Sequence, residues 1–226
     1  MHIGLIGGIG PAATDAYYRR LVNAMAARGA ELQMTIAHAD SPVLLGNMAA
    51  GNAAAQAEVF RIRTERLAAA GAECVAVTSI AGHFCNAAFQ AVSPLPVIDM
   101  LAEVDRAVTA RGLARVGILG TGTVMRTGFY GALSSAETLA PEGEALDAVH
   151  QAYVGIAAVG ETTPEQTELL LTAGQALIDR GADAVMLGGT DLALVYDPIP
   201  EPYPLVDAVE IHVAALTDIA SGQRTP

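Results

Sequence analysis

The 226-residue sequence contains no lysine, and all 12 of its basic side chains are arginines. Enzymes that form a Schiff base through a lysine, including those that hold pyridoxal phosphate covalently, are therefore excluded. Basic residues are also outnumbered, since 24 aspartates and glutamates give a net charge of −12 at pH 7. A protein that binds nucleic acid needs a basic stripe or patch, so no nucleic-acid partner is expected.

Cysteine and long apolar segments are scarce as well. Cys74 and Cys85 are the only 2 cysteines, too few for a disulfide framework, and they indicate a reducing, cytoplasmic location. No apolar run reaches the roughly 18 residues of a membrane-spanning helix, and the opening residues lack the charged start of a signal peptide. We therefore expect a cytoplasmic protein without a membrane partner.

Apolar residues are nevertheless abundant, at 52% of the sequence against 16% charged residues. This composition supplies a large core. It also leaves apolar surface that a second copy of the chain would cover, so we expect a homodimer.

Short apolar runs alternate with segments of helical periodicity along the chain. The runs at residues 2–7, 32–38 and 74–77 each end in small or polar residues, and helical patterns follow the first and third. Apolar runs of this length are typical of buried parallel strands. The alternation predicts an α/β fold with parallel sheets flanked by helices.

The second half of the chain repeats the first. Residues 116–120 match residues 3–7, residues 181–187 match residues 71–77, and residues 202–207 match residues 94–99, at offsets of 113, 110 and 108. We predict two pseudo-symmetric, Rossmann-like α/β lobes, residues 1–98 with 208–226 and residues 99–207. Because ligands of open α/β sheets bind beyond the carboxyl ends of the strands, the site is expected in a cleft between the lobes.

A glycine-rich turn follows the first strand. Its sequence, GGIGPAAT at residues 7–14, lacks the spacing of a dinucleotide-binding fingerprint. Backbone N–H groups at such a turn can hold an anion, and Gly8, Ile9, Gly10 and Thr14 are candidates for binding a small carboxylate. The alternative is a tight turn without a ligand.

His83 and Cys85 follow the strand at residues 74–77. Histidine suits proton transfer near neutral pH, and a helix N-terminus would lower the pKa of His83; the alternative is a capping or packing role. A helix N-terminus would also lower the pKa of the Cys85 thiol and allow it to act as a nucleophile or proton carrier. A buried packing cysteine is the alternative.

The corresponding exit in the second half carries Thr190 and Asp191. Asp191 is a candidate base or a helix cap. Thr121 and Thr123 follow the strand at residues 116–120 and can donate hydroxyl hydrogen bonds to a carboxylate. His212 lies five residues beyond Asp207 and is a further candidate for contacting a ligand.

Five segments together resemble the aspartate/glutamate racemase superfamily, particularly its aspartate racemase branch. They are GLIGGIGPAAT (4–14), SIAGH (79–83), VGILGT (116–121), MLGGTDL (186–192) and VDAVEIH (206–212). The resemblance implies two pseudo-symmetric α/β lobes with the site between them and no cofactor. It also implies that a cysteine at the strand end of each lobe removes and returns the substrate α-proton.

The sequence departs from this pattern at the reacting positions. Ser79 and Gly189 stand where the family has its two cysteines, and Asn47 and Ala157 stand where the aspartate branch has an arginine and a lysine. An unactivated serine is far less acidic than a thiol. Two-thiol chemistry is therefore excluded unless other residues supply the bases.

The sequence thus predicts a racemase-like, cofactor-independent isomerase of a small amino acid or related carboxylic acid, with non-standard catalytic residues and no metal. The alternatives are a decarboxylase or lyase on a small carboxylate, or a non-catalytic protein that binds small acids. The candidate catalytic residues are Ser79, His83, Cys85, Thr190 and Asp191. The candidate substrate-binding residues are Gly8, Ile9, Gly10, Thr14, Asn47, Ile80, Thr121, Thr123, Gly189 and His212.

Overall fold

Fully buried apolar runs form the central strands of two parallel sheets in the computed structural model. The structure describes residues 1–200 and 202–226, except for the side chain of Pro11. The chain divides into two compact units, residues 1–100 with 209–226 and residues 101–208.

The first unit contains a three-stranded sheet in the order β2-β1-β3. Its strands are β1 (His2–Gly7), β2 (Gln33–His38) and β3 (Cys74–Val77). Its helices are α1 (Pro11–Ala27), α2 (Ser41–Ala49), α3 (Ala53–Ala69) and α4 (Asn86–Val92). A parallel bridge between Val75 and Val97 extends the sheet beyond β3. Phe60 of α3 packs edge-on against Phe89 of α4 at 5.3 Å between ring centroids, in the core on one side of the sheet.

The second unit contains a four-stranded parallel sheet in the order β5-β4-β6-β7. Its strands are β4 (Arg115–Gly120), β5 (Glu137–Leu139), β6 (Ala184–Gly188) and β7 (Leu205–Asp207). Its helices are α6 (Gly122–Arg126), α7 (Gly143–Val159), α8 (Pro164–Asp179) and α9 (Ala193–Tyr196). Helices α5 (Met100–Ala110) and α10 (Ala208–Ala220) lie at the two crossings between the units.

The two sheets share one topology, which confirms the predicted α/β fold. In each, the first strand of the unit lies between the second and the third, and a fourth segment adds beside the third. The first strands, β1 and β4, both end in a glycine, and both central pairs are in parallel register. The internal sequence repeat therefore corresponds to a repeated supersecondary structure.

Three local predictions differ from the structure. Residues 41–49 form helix α2, whereas the sequence predicted only a strand exit there. The helix predicted after the strand at residues 74–77 begins as a 3₁₀ turn, Ala81–Cys85, and becomes α-helical only at Asn86. Helix α7 was not anticipated, although its buried residues recur at helical spacing.

The described residues form no helix that is both long and apolar enough to cross a membrane. Within the same ranges, no three or more His, Cys, Asp or Glu side chains are grouped so as to hold a metal ion.

Candidate functional site

The end of β3 in the first unit brings four predicted residues into one turn. After Val77 the chain passes through Ser79 and Ile80 into the 3₁₀ turn that carries His83 and Cys85. All four side chains are buried, with Ser79 and His83 each 5% exposed. The turn therefore gathers one hydroxyl, one imidazole and one thiol at the carboxyl edge of the sheet.

The imidazole of His83 is held in one tautomer. Its Nδ1 lies 2.7 Å from the carbonyl oxygen of Ser79, which can only accept, so Nδ1 carries the hydrogen of the neutral ring. Nε2 then carries the lone pair. Burial lowers the pKa of His83 below its ordinary value of 6.5, against smaller opposing contributions from its backbone hydrogen bonds and Asp99. The predicted direction of the shift is correct, but its main cause is burial.

The thiol of Cys85 is shifted in the direction opposite to the one expected. Cys85 closes the 3₁₀ turn, where its Sγ–H donates to the carbonyl of Gly82 at 3.4 Å. Burial raises the pKa of Cys85 to about 12. A thiol in this environment stays protonated at neutral pH and acts as a small packing group.

The glycine turn after β1 lies directly beside the turn after β3. Gly8 has a φ of +147°, and a Cβ added there would collide with the carbonyl of Ala39, so only glycine fits. The hydroxyl of Ser41 donates to the Gly8 carbonyl. Gly10 (φ +73°) is the N-cap of α1. The positive end of α1 therefore begins at this turn, as the predicted anion site requires.

The hydroxyl of Thr14 is already engaged within the sheet edge. Thr14 Oγ1 lies 2.9 Å from Thr78 Oγ1, and the Thr78 hydroxyl donates to the carbonyl of Ile6 at 3.2 Å. Because the Thr78 hydroxyl hydrogen is donated to the Ile6 carbonyl, Thr14 Oγ1 is the donor in its hydrogen bond with Thr78 Oγ1. Thr14 thus ties α1 to the end of β3 and has no hydrogen left for a substrate carboxylate.

A pocket of about 320 Å³ opens beside the glycine turn. It contains two of the predicted residues, Gly8 and Thr14, and its other lining residues lie on β1, α1 and β2. These are Gly7, Asp15, Tyr18, Ile36 and His38. The exposed Asp15 carboxylate on its wall is paired with Arg19 at 3.0 Å, and the carboxylate site at this turn stays a prediction.

Two further predicted residues of the first unit are engaged elsewhere. His212 on α10 is 0% exposed; its Nε2 donates to the Ile98 carbonyl at 2.9 Å, and its Nδ1 accepts from the Tyr17 hydroxyl at 2.8 Å. Both ring nitrogens are therefore used inside the fold, and His212 anchors α10 rather than presenting a nitrogen to a ligand. The amide of Asn47 donates to the buried Gln56 at 3.1 Å.

The end of β6 in the second unit brings Gly189, Thr190 and Asp191 together. Asp191 is 4% exposed, and its Oδ2 accepts hydrogen bonds from the Tyr153 hydroxyl at 3.1 Å and from Thr190 Oγ1 at 3.2 Å. Its Oδ1 is buried without a hydrogen-bond partner among the described residues. An unsatisfied buried acceptor costs about 1–3 kcal/mol and is uncommon outside functional sites.

Tyr153 is the residue of this cluster that sequence analysis missed. It lies on α7 at helical spacing with buried apolar neighbours, so its position in the sequence is that of a core residue. Burial, and then the charge of Asp191, raise the pKa of the Tyr153 phenol, which therefore stays protonated. One turn earlier on the same helix, His150 Nδ1 accepts from the backbone N–H of Gly122 at 3.1 Å. Helix α7 thus contacts the exits of both β4 and β6.

Thr121 and Thr123 follow β4 in different environments. The hydroxyl of Thr121 caps α6 by accepting from the Val124 backbone N–H at 3.2 Å. Thr123 is exposed on the same helix. The expectation that both threonines contact a carboxylate stays a prediction, as does the shared cleft.

These features define an α/β protein whose polar and titratable groups collect at the carboxyl ends of β3 and β6. The sequence matches the Asp/Glu/Hydantoin racemase family over residues 6–216. The chain therefore belongs to that family.

Solved structures with the same fold include several proteins of this kind. A protein from Yersinia pestis, provisionally described as an Asp/Glu racemase, has a TM-score of 0.86 at 24% identity, over 97% of this chain and 99% of that one. An aspartate racemase homologue from Pyrococcus horikoshii OT3 has a TM-score of 0.82 at 23% identity, over 97% and 99%. A liganded double mutant of arylmalonate decarboxylase has a TM-score of 0.60 at 17% identity, over 99% and 94%.

Proposed function

We propose that this protein is a cofactor-independent isomerase that removes the α-proton of a small amino acid or related carboxylic acid, with His83 as the base. Family membership supports an isomerase at the level of reaction class. Family membership does not identify the base in this chain, because Ser79 and Gly189 carry no thiol.

The observation that carries the proposal is the state of His83. A general base must be unprotonated at working pH and must have its lone pair available. Burial keeps this ring neutral, and the bond from Nδ1 to the Ser79 carbonyl assigns the lone pair to Nε2. His83 also contacts the backbone of Ser79, the residue that, according to the sequence resemblance, stands at the family's first cysteine position.

The other titratable groups of this turn are poorer bases. Cys85 stays a thiol because burial raises its pKa to about 12. The Ser79 hydroxyl is far less acidic than a thiol, so it cannot supply an anion without a stronger base beside it. His83 is the group in this turn whose protonation state suits α-proton removal.

Decarboxylation of a small carboxylate is the second candidate, favoured by one difference between the strand ends. The 110-residue offset of the internal repeat pairs His83 with Ala193, so the second exit lacks an equivalent imidazole. Racemisation needs proton transfer on both faces of the α-carbon, whereas decarboxylation needs one proton donor after CO₂ leaves. An arylmalonate decarboxylase is among the proteins that share this fold.

The test is solvent exchange at the α-carbon. A panel of L-amino acids and L-2-hydroxy acids is incubated with the protein in D₂O, and loss of the α-¹H signal is followed by NMR, with CO₂ release measured in parallel. We expect exchange with at least one acid, and a loss of about 10²-fold or more in His83→Gln, because general bases contribute that much. His2 lies at the start of β1, at the edge of the sheet opposite to the carboxyl edge that His83 follows. His2→Gln is therefore the matched control and should exchange at the wild-type rate.

Each other outcome has a definite meaning. CO₂ release without exchange would favour decarboxylation. A thermal shift on carboxylate binding, with neither reaction, would favour a non-catalytic small-acid-binding protein. Undiminished exchange in a folded His83→Gln protein would remove His83 from the role of base.

A further inference from the structure

The first unit contains a buried glutamine whose amide nitrogen has no hydrogen-bond partner. Gln56 lies in the first turns of α3 and is 0% exposed. Its Oε1 accepts from Asn47 Nδ2 of α2 at 3.1 Å, whereas its Nε2 is buried without a partner among the described residues. An unsatisfied buried donor lowers stability and is uncommon, so this amide calls for an explanation.

Helix α3 does not need Gln56 in order to begin. The side chain of Asn52 caps the helix by accepting from the backbone N–H of Ala55 at 3.0 Å. At the 110-residue offset of the internal repeat, Gln56 corresponds to Gln166, whose side chain completes the capping box of α8. The second glutamine therefore has a local role at a helix start, whereas Gln56 is turned into the interior of the first unit.

The amide pair of Asn47 and Gln56 lies beside the turn that carries His83, within the same unit. Helices α2 and α3 both contact that 3₁₀ turn. Phe60 follows Gln56 by one helical turn on the buried face of α3, and its ring is 3.5 Å from the position that a Cβ on Gly82 would take. Asn47 is partly exposed and Gln56 is not, so the pair runs from the surface of the first unit into its interior.

We propose that Gln56 binds the primary carboxamide group of a small amino acid, and that this group takes the place of the Asn47 side chain. The inference rests on the proposed function insofar as that amino acid is the substrate. It adds the class of side chain that the substrate carries, which is a neutral amide instead of a second carboxylate.

Hydrogen-bond complementarity favours an amide. Asn47 supplies Gln56 with a donor but with no acceptor. A primary carboxamide supplies both in one planar group, because its N–H can donate to Gln56 Oε1 while its carbonyl accepts from Gln56 Nε2. Binding therefore satisfies the unpaired donor, and the displaced Asn47 amide can be solvated at the surface.

A carboxylate fits this site poorly. It has only acceptors, so it could pair with Gln56 Nε2 but would leave Gln56 Oε1 without a donor. Its charge would also be buried without a cation, since the sequence has no lysine and no arginine bonds either amide within the described ranges. The site thus discriminates an amide side chain from the acid of the same size by hydrogen bonding.

Equilibrium binding tests this subsite without any turnover. Isothermal titration calorimetry of the full chain compares L-asparagine with L-aspartate, and L-glutamine with L-glutamate. We expect at least one amide to bind about tenfold or more tightly than its acid, because the acid leaves buried groups unpaired. Gln56→Met keeps the length of the side chain, removes both amide atoms and should weaken binding of that amide about tenfold or more. Gln33→Met, at an exposed position on β2, is the matched control and should bind as wild type does.

Two further measurements separate a binding role from a structural one. Asn47→Ala removes the competing donor, so affinity for the amide should be unchanged or higher. Gln56→Met removes the unsatisfied Nε2, so Tm should be unchanged or raised by up to about 4 °C. A glutamine that only supported the fold would instead give a lower Tm in Gln56→Met, and that result would overturn the inference.

The remaining outcomes distinguish this inference from the proposed function. Equal or tighter binding of the acids overturns the carboxamide subsite, and so does the absence of binding by both amides. Unchanged affinity in Gln56→Met, or lost affinity in Asn47→Ala, also overturns it. Binding of an amide that undergoes no α-¹H exchange in D₂O overturns the proposed function and leaves the carboxamide subsite standing.

Discussion

The buried imidazole of His83 makes a prediction about stability as a function of pH. Folding lowers the pKa of His83 below its ordinary value of 6.5, chiefly through burial. Between the folded and the unfolded pKa, the unfolded chain therefore binds a proton at this residue that the native state does not. Stability contributed by the neutral ring is present above about pH 6.5 and is lost as the pH falls below it.

The magnitude has an upper bound set by linkage. A single group with such a shift lowers the free energy of unfolding by up to about 1.4 kcal/mol for each pH unit below 6.5. Urea denaturation of wild type and His83→Gln at pH 7.5, 6.5 and 5.5 measures the difference in slope. We expect wild type to lose up to about 1.4 kcal/mol more than the variant over the last of these intervals.

A matched control separates His83 from the other titrating groups. His38→Gln replaces a histidine whose side chain is exposed rather than buried, and the wild-type slope should persist in this variant. Parallel curves for wild type and His83→Gln would refute the reasoning. They would mean that the ring is not held neutral in the native state, and the proposed base would lose its main support.

Two further predictions concern the framework of the first unit. Tyr17→Phe should lower the free energy of unfolding by about 1–3 kcal/mol in urea, because His212 Nδ1 would lose its buried donor; the exposed Tyr18→Phe should change it by less than about 0.5 kcal/mol. Gly8→Ala should cost about 2 kcal/mol or more, since its φ is +147° and the added Cβ meets a backbone carbonyl. Gly46→Ala, in open space inside α2, should instead stabilise by about 0.5–1 kcal/mol; equal effects of the two alanines would contradict this account of the turn.

Much of the fold was predictable because its signals are local. The apolar runs at residues 2–7 and 74–77 form β1 and β3, and their repeats form β4 and β6. Hydrophobic periodicity and the small or polar residues at strand ends can be recognised within a few residues. The internal duplication adds support, because each strand predicted in one half has a counterpart in the other. Helix α2 was missed because a short helix at a strand exit has the small and polar composition of a loop.

The composition of the candidate sites was less predictable, since it depends on contacts between distant parts of the chain. His212 was expected at a ligand, yet a hydroxyl 195 residues away along the chain takes one of its nitrogens. The helical position of Cys85 suggested a reactive thiol, but burial decides the direction of its pKa shift. The burial of Cys85 cannot be predicted from a local sequence pattern.

The sequence by itself determined the repeated α/β architecture and the presence of serine and glycine at residues 79 and 189, because strand periodicity and residue identity can be read along the chain. Tertiary structure alone decided which groups stand beside those positions. It locks the tautomer of His83 and brings Tyr153 against Gly189 from a helix 36 residues earlier in the chain. The physical reason is that protonation state and available volume depend on burial and long-range packing, which only the folded chain creates.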